Sequence, residues 1–174
     1  MKTVKDYILT IPDFPKPGIM FRDVTSILQD ADGFSLAIDE LAKRIDSLEF
    51  DVIAAVEARG FVFGGPLAYR FHKPLVLIRK KGKLPRSVIS EEYMLEYSTS
   101  TVEMHTDAIH PGHRVLLIDD LLATGGTTLA GAHLIEKLGG TVVKVLFLLE
   151  LAGLDGRKAL ADYSVDSVVT YEGK

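Results

Sequence analysis

The segment from Val115 to Leu138 restricts the fold of this chain more than any other, because a strand, a loop and a helix follow one another directly in it. Four apolar residues, Val115–Ile118, predict a buried strand that is closed by two adjacent aspartates. A loop rich in glycine and threonine then leads into a helix that continues to Leu138. In open α/β sheets, ligands bind where a strand ends and the next helix begins. The segment therefore predicts an α/β unit and a ligand-binding edge.

The loop of this segment suits a phosphate group. Gly125 and Gly126 let the backbone approach a ligand closely, and the hydroxyls of Thr124, Thr127 and Thr128 are hydrogen-bond donors. The helix start adds unpaired N–H groups and the positive end of a dipole.

The aspartates of the same segment have a different expected partner. Since carboxylates repel a phosphate, we expect Asp119 and Asp120 to face vicinal sugar hydroxyls, and their charge would help a nearby magnesium ion. Loop and aspartates together predict a cradle for a phosphorylated ribose. The alternative is a capped helix behind a buried strand, with the aspartates as solvated turn residues.

Length and composition narrow the class of protein. A chain of 174 residues forms one domain with a substantial core. A net charge of -4 gives no general nucleic-acid surface. The absence of cysteine excludes disulfides and thiolate chemistry and fits a reducing cytoplasm. The start lacks the apolar core of a signal peptide, and no apolar run approaches the roughly 20 residues of a membrane span.

Apolar strand segments alternate with helical segments along the whole chain. This alternation predicts an α/β fold with a central, mostly parallel sheet flanked by helices. We predict strands at residues 52–56, 75–78, 115–118, 142–149 and 165–171, the last at an edge, and helices at residues 4–9, 33–47, 61–71, after Gly125, and 156–163. Three prolines make residues 11–18 irregular. Residues 82–113 are mostly polar, which indicates a flexible loop with hairpin character.

Two further segments carry groups that suit a diphosphate. Residues 57–60, Glu-Ala-Arg-Gly, form a second strand-to-helix turn at the same sheet edge, where Arg59 can receive an anionic group. Residues 79–83 hold four cations at the end of a strand, and a leaving diphosphate needs such charge. The alternatives are a surface arginine at a helix start and a solvated basic turn.

The polar segment also holds a candidate lid. Glu96 and Tyr97 lie within it, and a closing lid would bring a carboxylate over a reacting centre and exclude water. The alternative is an exposed acidic hairpin. The five histidines have no metal-ligand spacing, so we expect no metal site built from protein side chains alone.

The sequence resembles the type I phosphoribosyltransferases, and among them the adenine phosphoribosyltransferases. Residues 119–127 resemble the phosphoribosyl diphosphate motif, and residues 11–23 resemble the hood segment, which is the most specific part. Residues 57–61, 77–85 and 95–97 match in order and spacing, so the resemblance covers about residues 5–172. It implies one type I phosphoribosyltransferase-like domain over residues 1–174, with a hood at about 1–30 and a flexible catalytic loop at about 82–105.

The resemblance also implies roles for single residues, grouped by the part of the substrate that they contact. The 5-phosphate would be bound by Ala123, Thr124, Gly125, Gly126 and Thr127, and the ribose by Asp119 and Asp120. The diphosphate would be bound by Glu57, Ala58, Arg59, Gly60, Arg79, Lys80 and Lys83, with a cis peptide at Glu57–Ala58 and with Arg79 or Lys80 reaching across a dimer interface. Adenine would be bound by Met20, Phe21, Arg22 and Leu151, and the catalytic residues would be Glu96, Tyr97 and Arg59.

The implied activity is a pentosyl transfer. The 5-phosphoribosyl group passes from 5-phosphoribosyl diphosphate to adenine, forming AMP and diphosphate, with Mg²⁺ bound mainly through the sugar diphosphate. The resemblance further implies a cytoplasmic homodimer without a nucleic-acid or membrane partner. One alternative is a regulator that senses the sugar diphosphate without turnover, although the chain has no added DNA-binding module or basic helix. The other is the same transfer to hypoxanthine, guanine or xanthine.

Overall fold

The computed structural model describes residues 2–95 and 98–173. In chain order, the strands are β1 (Leu9–Pro12), β2 (Met20–Asp23), β3 (Val52–Val56), β4 (Leu75–Lys80), β5 (Val88–Met94), β6 (Thr99–His105), β7 (Arg114–Leu122), β8 (Thr141–Leu151) and β9 (Val165–Tyr171). The helices are α1 (Thr25–Leu28), α2 (Ala31–Lys43), α3 (Arg59–Phe71), α4 (Gly126–Lys137) and α5 (Gly156–Ala159), with 3-10 turns at Val4–Tyr7 and Ala152–Leu154.

Seven strands form the central sheet in the order β5-β6-β4-β3-β7-β8-β9. The pairs from β4 through β3, β7 and β8 to β9 are parallel, whereas β5 and β6 are antiparallel at one edge. The predicted α/β fold with a mostly parallel sheet is therefore confirmed. Because parallel strands end at the same edge, the sheet brings the loops after β3, β7 and β8 together.

Helices cover both faces of the sheet, and the strand pleat divides the core between them. Ile53 and Ile118 pack on one face with Phe63 of α3 and with α2. Leu117 packs on the other face with Leu134 of α4. Successive strand residues point to opposite faces, so the continuous apolar runs of β3 and β7 are buried on both sides, as predicted.

The strand β7 is longer than predicted. It continues through Asp119 and Asp120 to Leu122, because β8 runs beside it and pairs Asp119 with Phe147 and Leu122 with Glu150. The two aspartates therefore lie within the strand and do not follow it. This pairing fixes the backbone of both carboxylates.

Much of the predicted flexible segment 82–113 belongs to the sheet. The strands β5 and β6 form a hairpin, and β6 pairs with β4 through Arg79 and Glu103. Val102 and Met104 are buried on the sheet face that α4 covers, which explains why this polar segment forms strands. The hairpin character was predicted correctly, but the extent of the loop was wrong.

The N-terminal region differs most from the prediction. The helix expected at residues 4–9 is only a 3-10 turn, and β1 follows it and pairs with β2 in a separate two-stranded sheet. Residues 11–12 thus lie in a strand, although Phe14–Pro15 is a cis peptide in the connection. The helix predicted at residues 156–163 ends at Ala159. Within residues 2–95 and 98–173, we find no helix that is both long and apolar enough to cross a bilayer.

Candidate active site

Three cavities meet at the carboxyl ends of the parallel strands. The hood cavity, of about 410 Å³, lies between β2 and the segment after β8. The central cavity, of about 510 Å³, lies between the ends of β3, β4 and β7. The loop cavity, of about 80 Å³, lies inside the β7–α4 loop. Leu121 borders all three, so the cavities form one continuous site.

The loop cavity contains all five residues predicted to bind phosphate. Its lining consists of Asp119, Leu121, Ala123, Thr124, Gly125, Gly126, Thr127 and Thr128. Gly125 has a φ of 83° and directly precedes α4, which begins at Gly126. The loop cavity therefore lies at the N-terminus of α4, where the unpaired amide groups of a helix suit an anion.

The two aspartates face the central cavity together. Asp120 is buried and forms an ion pair with the Nε of Arg59, while an Oδ of Asp119 accepts a hydrogen bond of 2.8 Å from the backbone N–H of Asp120. Burial raises the pKa of the Asp119 carboxyl well above its ordinary value, and the adjacent charge of Asp120 raises it further. Burial lowers the pKa of Arg59, but Asp120 outweighs this effect and keeps that pKa above its usual range.

The raised pKa of Asp119 predicts a stability gain in Asp119→Asn. The folded state binds this proton more tightly than the unfolded state, so the free energy of unfolding falls as pH rises above about 4. Asparagine avoids the cost of holding a charged carboxylate at this buried position, and its side-chain oxygen still accepts the hydrogen bond from the backbone N–H of Asp120. We expect the Tm at pH 7.5, measured by calorimetry, to rise by about 2–4 °C, or roughly 1 kcal/mol. The gain should shrink toward pH 4.

A carboxylate with the opposite shift is the control. Asp107 accepts a hydrogen bond from Arg86, which lowers the pKa of Asp107. Asp107→Asn should therefore leave the Tm at pH 7.5 unchanged or slightly lower. A fall in Tm for both variants would contradict the assignment for Asp119.

The turn after β3 places one arginine at the centre of the site. The peptide Glu57–Ala58 is cis, as the resemblance implied. Glu57, Ala58 and Arg59 line the central cavity, and Arg59 also borders the hood cavity. Gly60 is buried, and a Cβ at its position would lie 3.0 Å from an Oδ of Asp119. Because glycine has no Cβ, the start of α3 can lie close against β7.

The basic cluster at the end of β4 is only partly directed to the site. Lys80 lines the central cavity. Arg79 instead donates a 2.8 Å hydrogen bond to the Glu57 carboxylate, which also accepts one of 3.2 Å from the backbone N–H of Lys80. Lys83 is exposed, and neither it nor Arg79 belongs to the lining described for the three cavities. Alternation along β4 explains why Arg79 and Lys80 point to different sides.

The hood cavity brings together the four residues predicted to bind the base. Met20, Phe21, Arg22 and Leu151 all line it. The Arg22 guanidinium, however, stacks over the ring of Tyr171 at 4.1 Å and donates a hydrogen bond to the hydroxyl of Thr10. Its charge is therefore engaged by the hood and β9, which leaves the backbone of Arg22 for a ligand.

Comparisons with known proteins identify the family. Residues 24–172 match the family described as "Phosphoribosyl transferase domain". This chain belongs to the phosphoribosyltransferase family. It is 66% identical to the adenine phosphoribosyltransferase of Agathobacter rectalis, with 100% of both chains covered. It is 63% identical to that of Butyrivibrio fibrisolvens, covering 100% of this chain and 96% of the relative.

Solved structures of phosphoribosyltransferases share the fold. The adenine phosphoribosyltransferase of Thermoanaerobacter pseudethanolicus superposes with a TM-score of 0.92 at 52% identity, covering 97% of this chain and 98% of that one. The enzyme of Saccharomyces cerevisiae, in complex with an imino-altritol bisphosphate and adenine, gives a TM-score of 0.89 at 33% identity, covering 95% and 96%. The resemblance read from the sequence is confirmed.

In this phosphoribosyltransferase, the structure shows cavity-lining residues that were not predicted from the sequence. Leu121 and Leu154 line the hood cavity, and Tyr93 and Ser100 line the central cavity. Leu154 lies one 3-10 turn after Leu151, and this spacing was the available signal. Tyr93 reaches the site only because the β5–β6 hairpin folds over α4. Glu96 and Tyr97 lie outside the described residues.

Proposed function

We propose that this protein transfers the 5-phosphoribosyl group of 5-phosphoribosyl diphosphate to N9 of adenine, forming AMP and diphosphate in purine salvage. The observation that carries the proposal is the meeting, at Arg59, of an apolar hood cavity with a central cavity that also holds Lys80 and the two aspartates. A base and a diphosphate on opposite sides of one sugar need this arrangement. The names of the relatives and the adenine bound to the yeast enzyme support the choice of base.

Each part of the substrates has a proposed place. The 5-phosphate lies in the loop cavity, and Asp119 and Asp120 accept hydrogen bonds from the ribose hydroxyls. The diphosphate lies in the central cavity beside Ala58, Arg59 and Lys80. We propose weaker roles for Arg79, which holds the turn after β3 through Glu57, and for Lys83, which acts from the rim of the central cavity. Adenine lies between Phe21 and Leu151 under the hood.

The chemistry follows from the charge that develops. As N9 forms a bond to the anomeric carbon, the bond from that carbon to the diphosphate oxygen breaks and leaves its electron pair on the diphosphate. Positive charge grows on the ribose and negative charge grows on the leaving group. Arg59 and Lys80 offset the second, while the hood and the β5–β6 hairpin limit the access of water.

The proton of the purine imidazole needs an acceptor. We propose Glu96, assisted by Tyr97, because both follow β5 directly in the chain and Leu95 lines the central cavity. Normal turnover in Glu96→Ala would exclude this role. Glu92→Ala, which removes an exposed carboxylate from the same hairpin, is the matched control.

A divalent ion fits the site through the substrate. Asp119 and Asp120 are two carboxylates at the central cavity, whereas residues 2–95 and 98–173 hold no cluster of three side chains that would bind a metal alone. Mg²⁺ commonly uses one or two carboxylates and substrate phosphates, and it would neutralise charge on the leaving diphosphate. We expect EDTA to abolish turnover and excess Mg²⁺ to restore it. Full activity in EDTA would exclude the ion.

The proposal includes a single phosphoribosyltransferase domain over residues 1–174 that acts as a cytoplasmic homodimer. The exposed Tyr69 and Val62 on α3 supply an apolar surface for a second copy. Since Lys80 lines the central cavity of its own chain, we propose Arg79 as the residue that approaches the site of the partner. Light scattering after gel filtration should give twice the mass of 19.1 kDa.

The decisive experiment mixes the protein with 5-phosphoribosyl diphosphate, Mg²⁺ and one purine base, and follows the nucleotide by chromatography. We expect AMP from adenine and little product from hypoxanthine, guanine or xanthine. Product from another base would show that the enzyme accepts that base and would contradict specificity for adenine. Tight binding of the sugar diphosphate without product from any base would favour a sensor.

The lining of the hood cavity predicts a variant that weakens the binding of adenine alone. Leu154→Ala removes apolar contact from this cavity and leaves the loop and central cavities intact. We expect the KM for adenine to rise about tenfold, the effect of losing most of one buried leucine side chain. The KM for 5-phosphoribosyl diphosphate should stay within about twofold. Leu9→Ala, which shortens an exposed leucine of the hood, is the control. Equal rises in both KM values would contradict the assignment.

A further inference from the structure

A hydrogen-bond network centred on the buried Glu150 lies behind the site and outside its three cavities. Glu150, at the end of β8, is 4% exposed and accepts two hydrogen bonds of 2.7 Å from the Nε and Nη2 of Arg157. Ser167 of β9 donates a third, of 2.6 Å, to the same carboxylate. Arg157 also donates to the carbonyl of Val165 at 2.9 Å. Glu150 and Arg157 thus form a bidentate arginine–carboxylate pair, in which two parallel hydrogen bonds fix the geometry.

Residues 151–156, which lie between Glu150 and Arg157 in the chain, contact two different parts of the site. Leu151 and Leu154 line the hood cavity. Gly156 lies against the phosphate loop so closely that a Cβ at its position would be 2.3 Å from the carbonyl oxygen of Ala123. A Cβ on Gly125 would likewise be 2.8 Å from the carbonyl oxygen of Gly156. Residues 151–156 therefore form a shared wall between the base and phosphate positions.

The elements inside this wall are short. Asp155 has a φ of 57°, and the elements on either side of it are a 3-10 turn and a helix of 4 residues. Such short elements have little stability of their own. The position of the wall is therefore set by contacts with its surroundings, and the Glu150–Arg157 pair is one of them.

We infer that the Glu150–Arg157 pair positions residues 151–156 against the hood cavity and the phosphate loop at once, and so sets the affinity for both substrates. This inference rests on the proposed function. Glu150 and Arg157 are positioning residues, since neither lines a cavity of the described site. Displacement of a wall by about 1 Å can change catalysis by as much as about a hundredfold.

The test replaces Arg157 by lysine, which keeps the charge but loses the two-pronged pairing. We expect the KM for adenine and the KM for 5-phosphoribosyl diphosphate to rise together, each on the order of tenfold. The kcat should change less than either KM. Ser167→Ala, a smaller change that leaves the pair in place, should raise both KM values by about twofold to threefold through loss of one hydrogen bond.

The chain contains a matched control. Arg114 pairs with Asp51 in the same two-pronged way, at 3.1 Å and 2.9 Å, but at the opposite end of β7. Its side chain is 43% exposed, against 49% for Arg157. Arg114→Lys should lower the Tm less than Arg157→Lys does, because the Asp51 side chain is 35% exposed and that of Glu150 is 5% exposed, and it should leave both KM values unchanged. A purely structural role for Arg157 would likewise leave both KM values unchanged.

The outcomes separate the inference from the proposed function. A wild-type protein that makes no AMP overturns the proposed function. A wild-type protein that makes AMP, beside an Arg157→Lys variant with both KM values within about twofold of normal, overturns the positioning role alone. A rise in only one KM overturns the shared wall. If Arg157→Lys does not fold, Ser167→Ala decides: a rise of about twofold to threefold in both KM values supports the positioning role, and no measurable rise in either KM overturns it.

Discussion

Replacing Gly125 by alanine is expected to reduce kcat/KM for 5-phosphoribosyl diphosphate by about a hundredfold. Gly125 has a φ of 83°, which an alanine adopts only with strain, and its new Cβ would lie 2.8 Å from the carbonyl oxygen of Gly156. Because that oxygen belongs to the backbone, the contact cannot be relieved by a side-chain rotation. The phosphate loop must move, and the amide groups at the start of α4 move with it.

Steady-state kinetics with a second glycine variant test this expectation. Gly112 has a φ of 86°, but a Cβ at its position would meet no atom from elsewhere in the chain within 4 Å, and it lies in the turn before β7, away from the site. Gly112→Ala therefore introduces the same backbone strain without the contact. We expect its kcat/KM to stay within about twofold of the wild type. Equal kinetics in the two variants would show that the contact with Gly156 does not hold the loop.

The second large effect is expected for Arg59→Ala, with a loss in kcat/KM of about 10²–10³. Arg59 is the residue of α3 that borders both the hood cavity and the central cavity, and it would face the bond that breaks. Its removal also leaves the buried Asp120 without its ion-pair partner. The variant therefore loses the positive charge that offsets the leaving diphosphate. It also loses the ion pair that holds Asp120 in position to bind the ribose.

Another arginine of α3 provides the comparison for this variant. Arg70 forms an ion pair with Asp39 and is 48% exposed, against 52% for Arg59, but it lies at the far end of the helix. Exposed pairs of this kind contribute little, so Arg70→Ala should keep full activity. Pre-steady-state measurement of the transfer step would show whether Arg59 acts on chemistry. A loss confined to diphosphate release would contradict the role proposed here.

Features with a local pattern were predictable from the sequence. The bounds of β3 and β9 were predicted residue for residue, because β3 is a short apolar run and β9 is rich in valine, and neither pattern needs a distant partner to be recognised. The loop cavity was predictable for the same reason, since strand, aspartates, loop and helix are contiguous in the chain. The resemblance supplied the cis peptide at Glu57–Ala58 and four of the residues that line the hood cavity.

Features that depend on distant segments were not predictable in this way. Whether Asp119 and Asp120 follow β7 or belong to it is decided by the length of β8, which comes later in the chain. The strands β1 and β2 are short and mostly exposed, so they lack an apolar pattern and form only by pairing with each other. The direction of Arg79 depends on Glu57, which is 22 residues away.

The position of Leu121 restricts how the choice of base can be altered. This residue borders the hood, central and loop cavities together. A larger or smaller residue there would reshape the pockets for base, sugar and phosphate in a single step, so selection for a new base at this position would be opposed by weaker sugar binding. Met20 and Leu154 border the hood cavity only. Directed evolution toward other purines should therefore accumulate changes at these two positions and retain leucine at 121.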